Sequence, residues 1–213
     1  MPKSFPTPVS IAILAGGESS RMGQDKGLLH LLGIPLIERV LLQVDGLSDK
    51  VMLVTNQPDE YRRFGVQMRT DARPGTGPLG GVYSALHYAT HDCILVLSCD
   101  MPFVSRPLLE YMLSVAPGWD AVVPRLGDSE RIEPLRAVYS KNCIEAIVTA
   151  LDAGRRRVVS FFESVNVRYV EIDDIERFDP GAGTFFNINT PADLTAARDL
   201  AVGYPLPQLP STT

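Results

Sequence analysis

Two short apolar runs constrain this chain more than any other feature. Val9–Leu14 reads VSIAIL and Ile94–Ser98 reads ILVLS. Each is shorter than an ordinary helix, rich in branched aliphatics, and apolar at successive rather than alternate positions, which reads as a buried strand. A strand that is apolar on both faces has to be covered on both faces. Segments with helical spacing supply that cover: residues 36–47 (LIERVLLQVDGL, with Glu38 and Arg39 outward), Pro58–Phe64, Gly80–Thr90, Ser105–Ser114, Asn142–Ala153 and Arg156–Glu163. Val51–Thr55, Gln67–Thr70, Ala121–Pro124, Pro134–Tyr139 and Val167–Ile172 add strand-like stretches between them. Strands alternating with helices predict an α/β fold of three layers, a mostly parallel open sheet with helices on both faces. In such sheets a ligand binds beyond the carboxyl ends of the strands.

Punctuation supports these boundaries. Ser105 is a helix cap, Gly154 ends the helix before it, and Thr190 caps a last helix with Pro191 in its first turn and Asp193 near the third position. Residues 9–202 are expected to form a single domain, and the Pro/Ser/Thr-rich ends, 1–8 and 203–213, are expected to be flexible tails. The net charge is -5, so there is no cationic surplus for nucleic acid or a membrane surface, and any anion must be held by local geometry. No apolar run approaches the ~18 residues of a membrane span. The N-terminal MPKSFPTPVS lacks the apolar stretch of a signal peptide. Cys93, Cys99 and Cys143 form no C-x-x-C pair, which suits a reducing cytoplasm.

The first strand runs into AGGESSRMGQDKGLL. Glycines at 16, 17, 23 and 27 let the backbone approach a ligand and aim several N–H groups at one anion. Arg21 brings a planar fork of donors and Lys26 a mobile point charge. A polyphosphate fits such a loop; so does the plainer reading of a solvated Gly/Ser turn. Neither G-x-G-x-x-G nor G-x-x-x-x-G-K-[ST] is present, which removes the dinucleotide fingerprint and the Walker loop.

Taken whole, LAGGESSRMGQDK resembles the signature loop of nucleotidyltransferases, and within them the molybdenum cofactor guanylyltransferase family. The resemblance extends over most of residues 9–200. It includes TNQP (Thr55–Pro58), DARPGTGPLGG (Asp71–Gly81), LVLSCDMPF (Leu95–Phe103), EPLRAVY (Glu133–Tyr139), GRRRVVSFF (Gly154–Phe162) and FFNINTPADL (Phe185–Leu194). Alone, most of these have plainer readings: a Pro/Gly turn, a capped strand end, a solvated arginine run, a capped helix.

The resemblance implies a Rossmann-like nucleotidyltransferase fold and transfer of GMP from GTP to the phosphate of Mo-molybdopterin. The products would be the guanine dinucleotide cofactor and pyrophosphate. It implies Arg21, Lys26 and Asp100 as catalytic residues, with Mg²⁺ on Asp100. Leu14, Ala15, Gly16, Gly17, Lys26, Asn56, Asp71, Gly80 and Asp100 would bind the nucleotide, and Arg156, Asn187 and Asn189 the acceptor side. A glycine at position 16, where pyrimidine-using relatives tend to carry alanine, would leave room for a purine. GTP and Mo-molybdopterin are the implied partners, with transient contact to molybdoenzymes or their chaperones, and neither nucleic acid nor membrane.

The rivals are a cytidylyltransferase on the same acceptor, a sugar-phosphate nucleotidyltransferase, and a non-catalytic carrier of the finished cofactor. His87 and His91 lie four apart, a spacing that can bind zinc, but no further ligands accompany them. Trp119 and the other aromatics read as core or rim.

Overall fold

A computed structural model describes residues 8–16, 25–127 and 131–206. The chain opens with β1 (Val9–Leu14) and a short hairpin, β2 (His30–Leu31) and β3 (Ile34–Pro35), before α1 (Leu36–Val44). There follow β4 (Val51–Val54), α2 (Pro58–Tyr61), β5 (Gln67–Arg69), α3 (Gly77–Tyr88), β6 (Cys93–Ser98) and α4 (Arg106–Ser114). The remainder is β7 (Ala121–Leu126), β8 (Arg131–Ile132), β9 (Arg136–Ser140), α5 (Cys143–Asp152), β10 (Val167–Val170), α6 (Ile172–Phe178) and α7 (Pro191–Leu200).

The main sheet runs β10-β7-β9-β6-β1-β4-β5, with β8 against β7. The pairs β1–β4, β1–β6, β4–β5 and β10–β7 are parallel. β9 runs antiparallel to both of its neighbours, β6 and β7. The expected α/β architecture is therefore present, and its one reversed inner strand has a consequence. The amino end of β9 meets the carboxyl end of β6, with Arg136 opposite Leu97, so residues just before β9 join the edge where ligands bind.

Alternation along the strands splits the core. Ile11, Ile13, Leu95, Leu97 and Val138 face α1, α4 and α6, packing with Ile37, Val40, Leu108, Met112 and Ile175. Ala12, Ile94, Val96 and Ala137 face α3 and α5, packing with Leu79, Val82, Ile147 and Phe161. A third cluster, Leu31, Leu36, Phe103, Ile188 and Ala197, ties the hairpin and α7 to the segment after β6. Burial of this kind supplies the main stabilisation, at about 25 cal/mol per Å² of apolar surface.

Three local differences from the sequence reading have physical causes. The segment expected as a helix at 156–163 is a 3-10 turn, Val158–Ser164. Ile172 does not end a strand but opens α6, whose first turn carries Asp173 and Asp174, acids suited to a helix N-terminus. α3 begins at Gly77, because Pro78, read as part of a turn, sits in the first helical turn where a missing N–H costs nothing. The last helix carries the expected reciprocal cap: Thr190 Oγ accepts from the Asp193 N–H and the Asp193 carboxylate accepts from the Thr190 N–H.

Candidate active site

The carboxyl end of β1 is tied to both of its neighbours, the Cys99 N–H after β6 donating to the Leu14 carbonyl at 3.1 Å and the Ala15 N–H to the Val54 carbonyl of β4 at 2.9 Å. Above this tie lies a small cleft of about 60 Å³ lined by Leu14, Gly16, Asp25, Lys26, Ser98, Cys99 and Asp100. Gly16 has φ +144°, a backbone conformation that side-chain-bearing residues rarely adopt. The chain can leave β1 along this path only because the position is glycine.

Lys26 reaches the cleft from a 3-10 turn, Lys26–Leu28, capped by Asp25. The Asp25 carboxylate accepts from the Gly27 N–H at 3.0 Å and from the Tyr61 hydroxyl at 2.5 Å. Tyr61 is fully buried, and burial first, then its acidic neighbourhood, holds its phenol above the usual range. So α2 fixes the turn that aims Lys26.

The Lys26 ammonium donates to Asn189 Oδ1 at 2.5 Å and lies 3.5 Å from Asp100 Oδ2. Asp100 Oδ1 accepts from the Ser98 hydroxyl at 2.5 Å. Both charged side chains are mostly covered, 16% and 18% exposed, which strengthens their attraction over that of a surface pair. Asn189 is brought here from far along the chain by the Ile188 N–H, which donates to the Asp100 carbonyl at 2.8 Å. Asp193 fixes the approach: its carboxylate accepts from the Asn189 and Thr190 N–H groups, and these bonds hold it below the usual carboxylate range. One step before Ile188, Asn187 Oδ1 is buried without a partner among the described residues. A buried oxygen left unpaired is costly and asks for an explanation.

Asp100, Asn187 and Asn189 thus supply hard oxygen atoms within one short stretch of structure. The described residues contain no cluster of three or more His, Cys, Asp or Glu that could hold a metal. That composition suits Mg²⁺ better than zinc, since Mg²⁺ takes one or two carboxylates and completes its shell with water and phosphate.

The other expected site residues fall around this centre. Asn56 and Asp71 follow the adjacent strands β4 and β5 and bind each other: Asn56 Nδ2 donates to Asp71 Oδ2 at 2.9 Å, and the Asp71 N–H donates to Asn56 Oδ1 at 3.0 Å. Gly80 is buried in the first turns of α3, where an added Cβ would strike the Thr76 hydroxyl. Arg156 lies against the start of α3, its carbonyl accepting from the Leu79 N–H at 3.2 Å. Its guanidinium is turned back onto the Leu151 carbonyl at the end of α5. Gly17 and Arg21 lie outside the described residues.

Residues 11–168 match the family described as the MobA-like NTP transferase domain. The chain belongs to that family. A probable molybdenum cofactor guanylyltransferase from Pelotomaculum thermopropionicum is 39% identical over 189 residues, covering 89% of this chain and 91% of that one. A molybdenum cofactor guanylyltransferase from Syntrophotalea carbinolica is 36% identical over 192 residues, covering 89% and 90%. Among solved structures, molybdopterin-guanine dinucleotide biosynthesis protein A from Archaeoglobus fulgidus superposes with a TM-score of 0.78 at 29% identity, covering 91% of this chain and 99% of that one. The 2-C-methyl-D-erythritol 4-phosphate cytidylyltransferase of Thermus thermophilus shares the fold, with a TM-score of 0.67 at 23% identity over 92% and 99% of the two chains.

In this MobA-like chain the sequence reading overlooked Asp25, Tyr61 and Ser98, which hold site residues without themselves resembling chemistry, and Gln43, whose amide holds the turn after Asp100 through the Pro102 carbonyl and the Val104 N–H. A signal existed for Asp25, since Asp is a preferred helix cap and precedes the Lys26 turn. None existed for Tyr61 and Gln43, which reach the site only through tertiary packing. His87 stacks on Tyr83 and His91 bonds Ser10, each engaged locally rather than with the other. Among the described residues no helix is long and apolar enough to cross a membrane.

Proposed function

We propose that this MobA-like nucleotidyltransferase transfers GMP from GTP to the phosphate of Mo-molybdopterin, releasing pyrophosphate. The observation that carries the reading is the convergence of Lys26, Asp100 and Asn189 at the carboxyl ends of β1 and β6. It occurs in a chain that aligns along most of its length with guanylyltransferases.

An acceptor phosphate oxygen attacks the α-phosphorus, a new P–O bond forms, and the bond to the β-phosphate oxygen breaks. The nucleophile is already ionised at neutral pH, so the protein needs no strong base. Its work is positioning and charge neutralisation. Lys26, aimed by Asp25 and Tyr61, exchanges its bonds to Asp100 and Asn189 for triphosphate oxygens, and Arg21 adds a second cation. Asp100, with an amide oxygen of Asn187 or Asn189, would hold Mg²⁺, and the other asparagine would serve the acceptor side. When bound, the ion supplies neutralisation of phosphate charge. The backbone of Leu14, Ala15 and Gly16 forms the base-side wall, and Gly17 is assigned to nucleotide binding by the resemblance alone. The Leu14 carbonyl and the Ala15 N–H already serve the sheet, so the base contact falls to the backbone beyond them, at Gly16. Asn56 and Asp71 bind base or ribose by opening their mutual pair. Gly80 leaves room for the Thr76 hydroxyl in the turn that opens α3 beside the nucleotide, and Arg156 sits on the acceptor side.

We read residues 9–202 as one catalytic domain acting in the cytoplasm, in keeping with three free cysteines, and meeting molybdoenzymes or their chaperones only transiently.

The test is pyrophosphate release from Mo-molybdopterin with Mg²⁺ and each of GTP, CTP, ATP and UTP. Release with GTP alone is expected. Release with CTP alone overturns the base assignment, and release with none overturns the acceptor. Gly16→Ala sharpens the base argument, provided the GTP-to-CTP ratio is read. At φ +144° the new Cβ strains the backbone with either nucleotide, while only a steric role lowers the ratio.

A further inference from the structure

The turn after β6 is held from outside at four successive carbonyls. Asp100 accepts from the Ile188 N–H at 2.8 Å, Met101 from Arg136 Nη2 at 2.5 Å, Pro102 from Gln43 Nε2 at 2.7 Å, and Phe103 from the Thr184 hydroxyl at 3.0 Å. Three of these donors are neutral and one is a guanidinium. Arg136 is 0% exposed, and its Nε and Nη1 have no partner among the described residues. A buried cation with two unmet donors is costly. One hydrogen bond to a carbonyl does not explain it, because Gln43 does the same for the next carbonyl without a charge.

The charge has a setting of its own. It faces the carboxylates of Glu133, Asp179 and Asp100 and the phenol of Tyr204. Asp179 is itself buried, accepting from the Tyr204 hydroxyl and the Thr184 N–H, and Glu133 is half-buried. Burial holds both of these carboxyls above the usual range. The reversed strand β9 brings this guanidinium to the carboxyl end of β6, opposite Leu97.

We propose that Arg136 is a positioning residue for nucleotidyl transfer: it fixes the Asp100–Met101 turn through the Met101 carbonyl, and its charge offsets the carboxylates that would otherwise repel an incoming triphosphate. The proposal rests on the reading of Asp100 as the triphosphate centre. It concerns the charge itself, so the experiment separates charge from hydrogen bonding.

Arg136→Lys keeps the cation and gives up the fork; Arg136→Gln keeps an amide donor and gives up the cation. GTP affinity by calorimetry, kcat and melting temperature are measured for each. Arg136→Gln should weaken GTP binding about tenfold and lower kcat, while Arg136→Lys stays within about threefold of the parent. Equal losses in both, or a fall in melting temperature with GTP binding unchanged, would overturn the role of the charge. Glu133→Gln, which leaves Arg136 in place, guards against a variant that fails to fold. At pH 8 it should tighten GTP binding about threefold by removing a facing carboxylate, and unchanged binding would overturn the proposal. Asp100→Asn run alongside identifies the source of failure. If it retains full turnover, the reading of Asp100 is what has failed, whatever Arg136 does.

Discussion

Asp100 and Asp71 both end strands on the same edge of the sheet, yet they are held in opposite ways. Asp100 follows the central strand β6, and its turn is anchored by α1, by β9 and by the segment before α7. Its carboxylate is mostly covered and engaged by Ser98 and Lys26. Asp71 follows the edge strand β5, and its carboxylate meets Asn56 at the surface. A charge that stabilises a transition state gains from being fixed before the substrate arrives, because no reorganisation is then needed. A pair that recognises a base or ribose has no such requirement, since its groups can exchange one partner for another. On the proposed function, the difference between the two aspartates separates a centre for chemistry from a place for recognition.

The comparison breaks first if Asp100→Ala leaves turnover standing. The expected loss is about 10³-fold in kcat, with the melting temperature within a few degrees of the parent, because the carboxylate's bonds are to Ser98 and Lys26 at the cleft. A steep fall in melting temperature with modest loss of kcat per folded molecule would make Asp100 a structural strand end. Lys26→Ala should rank next, at about 10²-fold in kcat/KM, since it removes one cation while leaving Asp100 in place. Steady-state kinetics on both variants give the order, and a larger loss at Lys26 would shift the centre of the chemistry from β6 to the loop after β1.

Asp71→Ala and Asn56→Ala sharpen the other side. Each should raise the KM for nucleotide about fivefold with kcat nearly unchanged. Their double variant should cost less than the product of the two, because each single change already breaks the bond they share. Independent, multiplicative losses would show that the two side chains act on different parts of the substrate. An effect confined to kcat would erase the distinction from Asp100.

How far the sequence revealed this arrangement follows from which forces are local. VSIAIL and ILVLS announced buried strands because a fully covered strand needs apolar residues at every position. Thr190, Pro191 and Asp193 announced α7 because a reciprocal cap is complete within four residues. The loop and strand-end motifs located Lys26 and Asp100 along the chain. No local signal could show that Asn189 would accept from Lys26, since that bond closes 163 residues of chain. Nor could one show that β9 would run backwards and carry Arg136 to the Met101 carbonyl next to Asp100. The 3-10 turn near 158–164 was read as a helix and the short helix at 172–178 went unread beyond Ile172, because segments of that length carry weak periodicity. Tertiary packing decides them.

Tyr61 gives the smallest expected effect and the finest test of the fixed side of the comparison. Its hydroxyl donates to Asp25, which caps the turn carrying Lys26, while its ring lies against Gly27. Tyr61→Phe keeps the ring and removes one partly buried bond to a carboxylate, a cost of about 1–2 kcal/mol. In a chain of this length that corresponds to a fall of roughly 2–8 °C in melting temperature. If the turn is what aims Lys26, kcat/KM should fall about threefold with it at a temperature where the protein remains folded. Added salt should not reproduce that fall, because the lost bond orients the lysine rather than screening it. A variant that melts earlier yet turns over like the parent would mean that Lys26 finds its place from the triphosphate alone. The Lys26 side of the site would then be assembled by the substrate, as proposed for Asn56 and Asp71, and only the turn after β6 would be built in advance.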